Sequence, residues 1–227
     1  MDSRRQLFCA FCGSFVVALS VVWGAALWAE QVSLHDGNIY YVDDGGGVRQ
    51  LTSAGMDSDP SISPDGRTVV FIRRTTTPAG FTEPTDPHPT RTQVCLLSVT
   101  GAANMKVVYD GAVAVGQHRY ATFSEPHMAP DNRHVYFLIH LAVVEFGLVK
   151  LDLADGQVRM ISEALDWHLI TSGRYAGDLV VQKRKTHPDG INLSYWLLSE
   201  DGKELGYVGQ SEREALAFLD NPERKIK

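Results

Sequence analysis

The chain has 227 residues, of which 44% are hydrophobic and 21% are charged, and its formal net charge is −6 at neutral pH. This content suffices for one globular core and argues against intrinsic disorder. The acidic balance argues against a nucleic-acid-binding protein, because there is no basic stripe to displace counterions from phosphates. The sequence therefore predicts one folded domain whose partner is not a nucleic acid.

The first 29 residues have the features of an export signal. Arg4 and Arg5 precede an apolar stretch from Leu7 to Leu27, and Ala29 ends a plausible cleavage site. An apolar stretch of about 20 residues is also long enough to stay in the membrane as an anchor. We therefore expect a periplasmic or secreted domain at residues 30–227, either free or anchored to the inner membrane by residues 7–27.

A hairpin pattern occurs three times after this leader. Asp59 opens a strand of alternating polar and apolar residues that reaches a Pro-Asp-Gly turn at Gly66 and returns as a β-branched and aromatic strand. Glu125 opens the same pattern, with a turn at Asn132, and Asp166 opens a more diverged copy. The recurrence predicts three equivalent hairpins.

A further pair of short strands follows each hairpin, and one such pair precedes the first hairpin at residues 39–42 and 47–52. Four short strands in units of about 40 residues are typical of β-propeller blades. The first unit is lengthened by a proline-rich insertion at about residues 75–92, which we expect to form a surface loop because proline cannot donate to a central strand ladder. The pattern predicts an all-β fold built from four-stranded antiparallel blades.

Residues 59–66 and the apolar strand after them resemble the WD40-like repeat of TolB-type propellers, which also occurs in the non-catalytic domains of prolyl oligopeptidase and dipeptidyl peptidase relatives. The resemblance covers roughly residues 34–221 and implies a small propeller of about four blades. TolB-like proteins act as binding modules of the bacterial cell envelope. The resemblance therefore implies an exported, non-enzymatic protein that binds an envelope protein or peptide.

Two interpretations of residues 211–221 stay open. Glu214–Asn221 aligns with Glu125–Asn132 and, as an inner strand, would complete a last blade shared by both termini. Alternatively, Ser211 and Glu214 form a capping box that begins a short helix. The first interpretation predicts a closed monomeric ring, and the second predicts an open ring whose edges are covered by dimerisation.

Several acidic and histidine side chains fall at equivalent positions near the starts of the inner strands, where a closed ring would gather them around one end of a channel. Carboxylates there are candidates for binding a cation or a polyhydroxylated ligand, although a role in accepting local backbone hydrogen bonds explains them without any ligand. The channel candidates are Asp59, Glu125, Asp166, Glu214, His127 and His168.

A second set of candidates lies in the proline-rich insertion, because loops on rigid scaffolds often carry recognition. The partner-binding candidates there are Phe81, Glu83, His88 and Arg91.

The sequence predicts no catalytic residue, metal ion or cofactor. It contains no Gly-x-Ser-x-Gly nucleophile turn, no phosphate-binding loop, no dinucleotide fingerprint and no His-Glu-x-x-His pair. The alternative to a binding module is a metal-dependent carbohydrate lyase or hydrolase, in which His127 and His168 hold a divalent metal beside the acidic residues.

Overall fold

The computed structural model of the protein describes residues 31–75, 91–100, 104–142, 145–187 and 190–221. Over these ranges the fold is mostly β, with antiparallel sheets and one short helix. The predicted leader at residues 1–29 and all but the ends of the proline-rich insertion lie outside the described residues. Within these described ranges, no helix has the length and apolarity needed to cross a membrane.

The elements in chain order are β1 (Val32–His35), β2 (Asn38–Val42), β3 (Val48–Gln50), β4 (Asp57–Ile62), β5 (Thr68–Arg74), β6 (Thr92–Ser98), β7 (Met105–Tyr109), β8 (Val113–Val115), β9 (His118–Tyr120), β10 (Phe123–Met128), β11 (His134–Ala142), β12 (Glu145–Asp152), β13 (Val158–Ala164), β14 (Asp166–Leu169), β15 (Leu179–His187), β16 (Gly190–Leu198), β17 (Glu204–Gly209) and α1 (Glu212–Leu219).

Three sheets have the predicted architecture of four antiparallel strands in chain order. They are β4-β5-β6-β7, β10-β11-β12-β13 and β14-β15-β16-β17, which we call blades 1, 2 and 3. The first strand of each blade is its inner strand, and it begins with the predicted hairpin pattern. The prediction of four-stranded antiparallel blades is therefore confirmed for these three units.

The turns of the first two hairpins depend on residues that tolerate a left-handed backbone. Gly66 has φ = 71° and Asn132, at the same place in blade 2, has φ = 55°. Glycine and asparagine adopt this conformation at lower cost than other residues. Asp65 and Asp131, one residue earlier, each accept a hydrogen bond from the backbone N–H two residues ahead, at 3.1 and 2.8 Å. The repeated turn chemistry explains the repeated hairpin.

Two smaller sheets complete the β structure that is described. Strands β1, β2 and β3 form a three-stranded sheet before blade 1, which we call the first sheet, and β8 and β9 form a hairpin between blades 1 and 2. Only two strands were expected before the first hairpin, so β1 is an addition. Its residues alternate apolar and polar side chains, but a run of only four residues is the shortest that such a pattern can mark.

Residues 212–219 form α1, so the interpretation of residues 214–221 as a shared inner strand is wrong. The hydroxyl of Ser211 accepts a hydrogen bond from the backbone N–H of Glu214 at 3.3 Å, and the Glu214 carboxylate accepts one from the backbone N–H of Ser211 at 3.1 Å. This capping box supplies partners to N–H groups that a helix start leaves free. The predicted count of about four blades becomes three blades and one three-stranded sheet in the described ranges.

The sheets pack in chain order through a series of hydrophobic clusters. One cluster joins the first sheet to blade 1, a second joins blade 1 to blade 2, a third joins blade 2 to blade 3, and a fourth joins blade 3 to Ala215 and Phe218 of α1. Within the described residues no cluster connects the first sheet to blade 3 or to α1. The sheets therefore form an open stack, and α1 covers the last face.

Candidate functional site

The inner strands of the three blades all begin at one end of the stack, which we call the acidic end. At this end Asp57 is paired with Arg73, Phe123 with Ile139, and Asp166 with Gln182, so the β5–β6, β11–β12 and β15–β16 connections leave from the same end. The two ends of the proline-rich insertion also meet here, because the backbone N–H of residue 75 donates to the carbonyl of residue 91 at 3.0 Å.

A β-bulge positions the acidic residue in each of the first two inner strands. The register shifts between Ser58 and Ser61 in β4 and between Ser124 and His127 in β10. Within these bulges Asp59 has φ = 48° and Glu125 has φ = 50°. A left-handed backbone is costly for a residue with a Cβ atom, so both carboxylates are held in conformations that the local chain does not favour.

Glu125 lies between the other two acidic residues of the inner strands. The Glu125 side chain is still reached by solvent, but neighbouring protein atoms displace part of its hydration shell. This partial desolvation first, and then the negative charges of Asp59 and Asp166, raise the pKa of Glu125 above its usual value. The structure therefore brings together three of the four predicted carboxylates. We call Asp59, Glu125 and Asp166 the acidic cluster.

Glu214, the fourth predicted carboxylate, does not join this cluster. Its oxygen Oε2 accepts hydrogen bonds from the backbone N–H groups of Gln210 and Ser211, at 2.9 and 3.1 Å. The residue lies in the capping box of α1 rather than at the start of an inner strand. The predicted ring of four carboxylates is wrong at this position, because the alignment compared a helix with a strand.

Asp166 is held by its neighbours in blade 3. Its Oδ2 atom accepts a hydrogen bond from the hydroxyl of Tyr195 at 2.7 Å, and its Oδ1 atom accepts one from the backbone N–H of Trp167 at 2.8 Å. The Nε2 atom of His168 is 3.4 Å from Oδ2. His168 first, and then Tyr195, hold the pKa of Asp166 below its usual value despite partial burial. Asp166 is therefore an anion with a fixed orientation.

The two predicted histidines lie beside the acidic cluster. His127 is opposite Tyr136 and His168 is opposite Val180, which agrees with their predicted equivalence. The His127 ring packs edge-on against the Trp167 indole, with 5.1 Å between ring centroids. Solvent reaches His127, yet the protein atoms around it, and then the charge of His168, lower its pKa to about 4. His127 is therefore neutral at physiological pH.

One buried ring nitrogen in this region, Nε1 of Trp167, has no hydrogen-bond partner among the described residues, and the residue is 4% exposed. Nε2 of His168 is also buried, but it lies against the Asp166 carboxylate. Trp167 lies close enough to Glu125 to lower the pKa of that carboxyl, but its indole N–H does not reach a carboxylate oxygen in hydrogen-bonding geometry. A buried donor without an acceptor costs about 1–3 kcal/mol. An acceptor supplied from outside the protein would remove that cost.

The metal site predicted as an alternative is not assembled here. In the part of the chain that the structure describes, no three His, Cys, Asp or Glu side chains are arranged to hold a metal ion. His127 contributes an edge-on aromatic contact, and His168 lies against a carboxylate. The local chemistry is that of several acceptors next to a donor-only indole, which suits an organic ligand with both donors and acceptors.

The insertion candidates are only partly described. Phe81, Glu83 and His88 lie outside the described residues. Arg91 is described, and its guanidinium pairs with the Asp110 carboxylate at 3.0 Å and also donates to the Asp110 backbone carbonyl. Part of the bonding capacity of Arg91 is therefore used within the fold, to fix one end of the insertion to the residue after β7.

Two residues of the site were not predicted from the sequence. Trp167 and Tyr195 approach the acidic cluster from blade 3, one from its inner strand and one from β16. The position of Trp167 directly after Asp166 was a usable signal, because ligand sites combine aromatic side chains with a few polar groups. Tyr195 is 29 residues from Asp166 in the chain and gives no local signal.

No family model and no curated protein matches the chain. Among solved structures it is similar to TolB from Acinetobacter baumannii, at 13% identity and a TM-score of 0.49, over 76% of this chain and 38% of that one. It is also similar to the β-propeller domain of the trilobed protease from Pyrococcus furiosus, at 13% identity and a TM-score of 0.47, over 74% of this chain and 47% of that one.

A third similar structure is oligogalacturonate lyase from Vibrio parahaemolyticus, at 14% identity and a TM-score of 0.47, over 78% of this chain and 47% of that one. The chain thus spans less than half the length of each of these three structures. Similarity of this extent concerns the arrangement of the strands and carries no information about activity or partner.

Proposed function

We propose that the protein is a non-enzymatic binding module of the β-propeller type, and that its acidic cluster receives a basic segment of a protein or peptide partner. The observation that carries this proposal is the convergence of three carboxylates from three blades beside the buried, unpartnered N–H of Trp167. No single blade supplies this combination, so the stacking of the blades creates the site.

The donors and acceptors of the cluster favour a peptide over other ligands. Ionised carboxylates only accept hydrogen bonds, whereas an indole N–H only donates. A peptide that contains lysine or arginine offers charged donors to the carboxylates and a backbone carbonyl to the indole. A metal ion offers no acceptor to Trp167, and a neutral glycan gains nothing from the concentrated negative charge.

The cell envelope is the proposed place of action. Support comes from the predicted leader at residues 1–29, which would place the domain in the periplasm or outside the cell. The ends of the proline-rich insertion lie at the acidic end. We propose that Phe81, Glu83 and His88 add contacts to a partner segment bound at the acidic cluster.

Peptide binding to residues 30–227 tests the proposal. Labelled decapeptides of matched hydrophobicity, carrying either lysine and arginine, glutamine, or glutamate, are titrated and followed by fluorescence anisotropy. We expect the basic series to bind, with an affinity that falls as salt is added, because exposed charges are screened. Equal binding of the basic and glutamine series would refute the proposed recognition of positive charge.

Variants locate the binding site. Glu125→Gln removes one charge-assisted contact of about 1.5 kcal/mol, so we expect about tenfold weaker binding. Glu163→Gln, at an exposed position on β13, is the matched control and should bind normally. In a Trp196→Phe background Trp167 is the single tryptophan of residues 30–227, and its emission should shift when a basic peptide binds. Equal affinities of the two glutamine variants would exclude the acidic cluster.

A further inference from the structure

We infer that the β15–β16 hairpin pairs edge to edge with the same hairpin of a second copy of the chain and so forms a symmetric dimer. The inference goes beyond the proposed binding function and rests on different residues. It starts from the part of the hairpin that projects past the rest of blade 3, which we call the ribbon, residues 183–187 and 190–194.

The ribbon lacks a neighbouring strand on either side within the described residues. β14 pairs with β15 only as far as Gln182, and β17 pairs with β16 only from Tyr195 to Leu198. In blade 2 the outer strand β13 reaches Phe146 of β12, so that a single residue of β12, Glu145, is left beyond it. Blade 3 therefore exposes a five-residue edge of β16, residues 190–194, where blade 2 is nearly complete.

This edge has none of the usual protection against pairing with another strand. Proteins commonly place lysine, proline or a bulge on a free edge to prevent association. Residues 190–194 are Gly-Ile-Asn-Leu-Ser, without a charge or a proline. Ile191 is 64% exposed and Leu193 is 44% exposed. An uncharged edge with exposed β-branched and aliphatic side chains is suited to strand addition.

The register of the hairpin shows which backbone groups are available. His187 pairs with Gly190 across a two-residue connection, and Lys185 pairs with Asn192. The pair that closes a two-residue hairpin turn, here His187 and Gly190, is a hydrogen-bonded pair. Hydrogen-bonded and non-hydrogen-bonded pairs alternate from there, so Gly190, Asn192 and Ser194 bond back to β15. The N–H and C=O groups of Ile191 and Leu193 therefore face the free edge.

A second copy of the same strand satisfies these groups with twofold symmetry. When two β16 edges run antiparallel with Asn192 at the axis, Ile191 lies opposite Leu193 of the second copy, and each such pair exchanges two backbone hydrogen bonds. The two side chains then form a cross-strand apolar pair on one face. A shift by one residue would place the inward-bonded groups of Asn192 against the outward groups of the other copy and lose these bonds.

The charges of the ribbon do not oppose this pairing. Lys183 and Lys185 each lie 2.8 Å from the Glu204 carboxylate, and Arg184 lies 3.7 Å from that of Glu145. In the four-stranded sheet of the dimer the two β15 strands are about 14 Å apart, at three strand spacings, which exceeds the screening length of about 8 Å at physiological salt. A chemically identical partner is therefore compatible with the surface.

Sedimentation equilibrium of residues 30–227, from about 1 to 200 µM, tests the inference, since so small an interface is expected to give micromolar affinity. We expect reversible dimers, and we expect Leu193→Lys to weaken dimerisation by tenfold or more. Val48→Lys, an equally nonconservative change at a residue that is 69% exposed on β3, is the matched control and should dimerise normally. If the protein is monomeric over this whole concentration range, the inference is wrong, and a strand of another protein is then the candidate partner of this edge. If dimerisation is unaffected by Leu193→Lys, the inference is wrong as well.

Cysteine cross-linking tests the symmetry axis. Residues opposite each other in a non-hydrogen-bonded pair have Cα atoms about 4.5 Å apart, a separation that allows a disulfide. Asn192→Cys should therefore form a disulfide-linked dimer quickly under mild oxidation, whereas Ser33→Cys on the exposed part of β1 should not. Equal cross-linking of the two variants overturns the proposed register.

Discussion

The ion pair between Asp57 and Arg73 gives the sharpest prediction about stability. The Asp57 side chain is 0% exposed and that of Arg73 is 17% exposed. Two atoms of the guanidinium, Nε and Nη2, donate to the two carboxylate oxygens at 2.6 and 2.8 Å. The pair joins the start of β4 to the end of β5, and it raises the pKa of Arg73 above its usual value, so the cation persists in the folded state.

Asp57→Ala leaves this cation without its partner. Removing one member of a buried pair costs about 3–5 kcal/mol, and we expect about 3 kcal/mol because water still reaches part of Arg73. For a domain of this size that corresponds to a fall in Tm of about 6–12 °C. The measurement is urea unfolding followed by circular dichroism, with a parallel thermal scan.

Two control variants test whether the buried ion pair is the cause of the loss in stability. Glu145→Ala disrupts an ion pair whose side chains are 57% and 45% exposed, and it should cost less than about 1 kcal/mol. The double variant Asp57→Ala/Arg73→Met should be more stable than Asp57→Ala alone, because it removes the stranded charge. If Asp57→Ala lowers the free energy of unfolding no more than Glu145→Ala does, the Asp57–Arg73 pair does not stabilise the hairpin.

Three further predictions concern the site and α1. Because the pKa of Glu125 is raised in the folded state, its negative charge opposes folding at neutral pH, and Glu125→Gln should increase stability at pH 7. This gain should shrink as the pH falls through the folded-state pKa and should be absent below about 4.5, the pKa of an unperturbed glutamate. Measurements of Tm from pH 3 to 8 test this. His127 gains its proton near pH 6.5 in the unfolded chain but only at about pH 4 in the folded chain, so the protein should lose stability as the pH is lowered from 6.5 to 4. His127→Gln should reduce this loss in the same scans. Ser211→Ala removes the N-cap of α1 and should lower the free energy of unfolding by about 1 kcal/mol in urea titrations, whereas Ser33→Ala should leave it unchanged.

Much of the fold follows from the turn chemistry of the sequence. The left-handed positions at Gly66 and Asn132 are visible as residue types that accept positive φ, and the returning strands are visible as β-branched runs. Repetition of this hairpin, together with the second strand pair that follows each copy, predicts both the number of strands per blade and their order. Local chemistry and long-range packing agree at these positions, which explains why the prediction succeeds.

The ends of the domain could not be decided in the same way. Residues 214–221 align with an inner strand by spacing, yet the reciprocal bonds of Ser211 and Glu214 favour a helix. The outcome depends on the burial of Ala215 and Phe218 against blade 3, which is tertiary information. The hairpin of β8 and β9 was missed because two strands of three residues carry too little periodicity.

The site was predicted in part for similar reasons. The equivalence of Asp59 and Glu125 follows from their place in the repeated hairpin, and the structure adds the bulges that aim both side chains. The convergence of Trp167 and Tyr195 on the acidic cluster depends on how blade 3 packs against blade 2. No spacing rule in the sequence encodes that contact.

An open stack has a thermodynamic consequence for the described part of the chain. Each sheet is stabilised only by its immediate neighbours, so the described domain behaves as a short one-dimensional array. The first sheet and α1 each have one neighbour, whereas blade 2 has two. Local opening should therefore begin at the ends, and amide hydrogens of β1–β3 and α1 should exchange long before those of β11 and β12.

The acidic cluster takes one residue from each of the three consecutive blades. A partner segment that contacts Asp59, Glu125 and Asp166 together therefore spans both interfaces between them. Such a segment can bind tightly only while the three blades remain in register, so its binding energy adds directly to the cooperativity of the array. Binding of a partner segment to the acidic cluster should therefore slow amide hydrogen exchange throughout all three blades, including at residues far from the cluster.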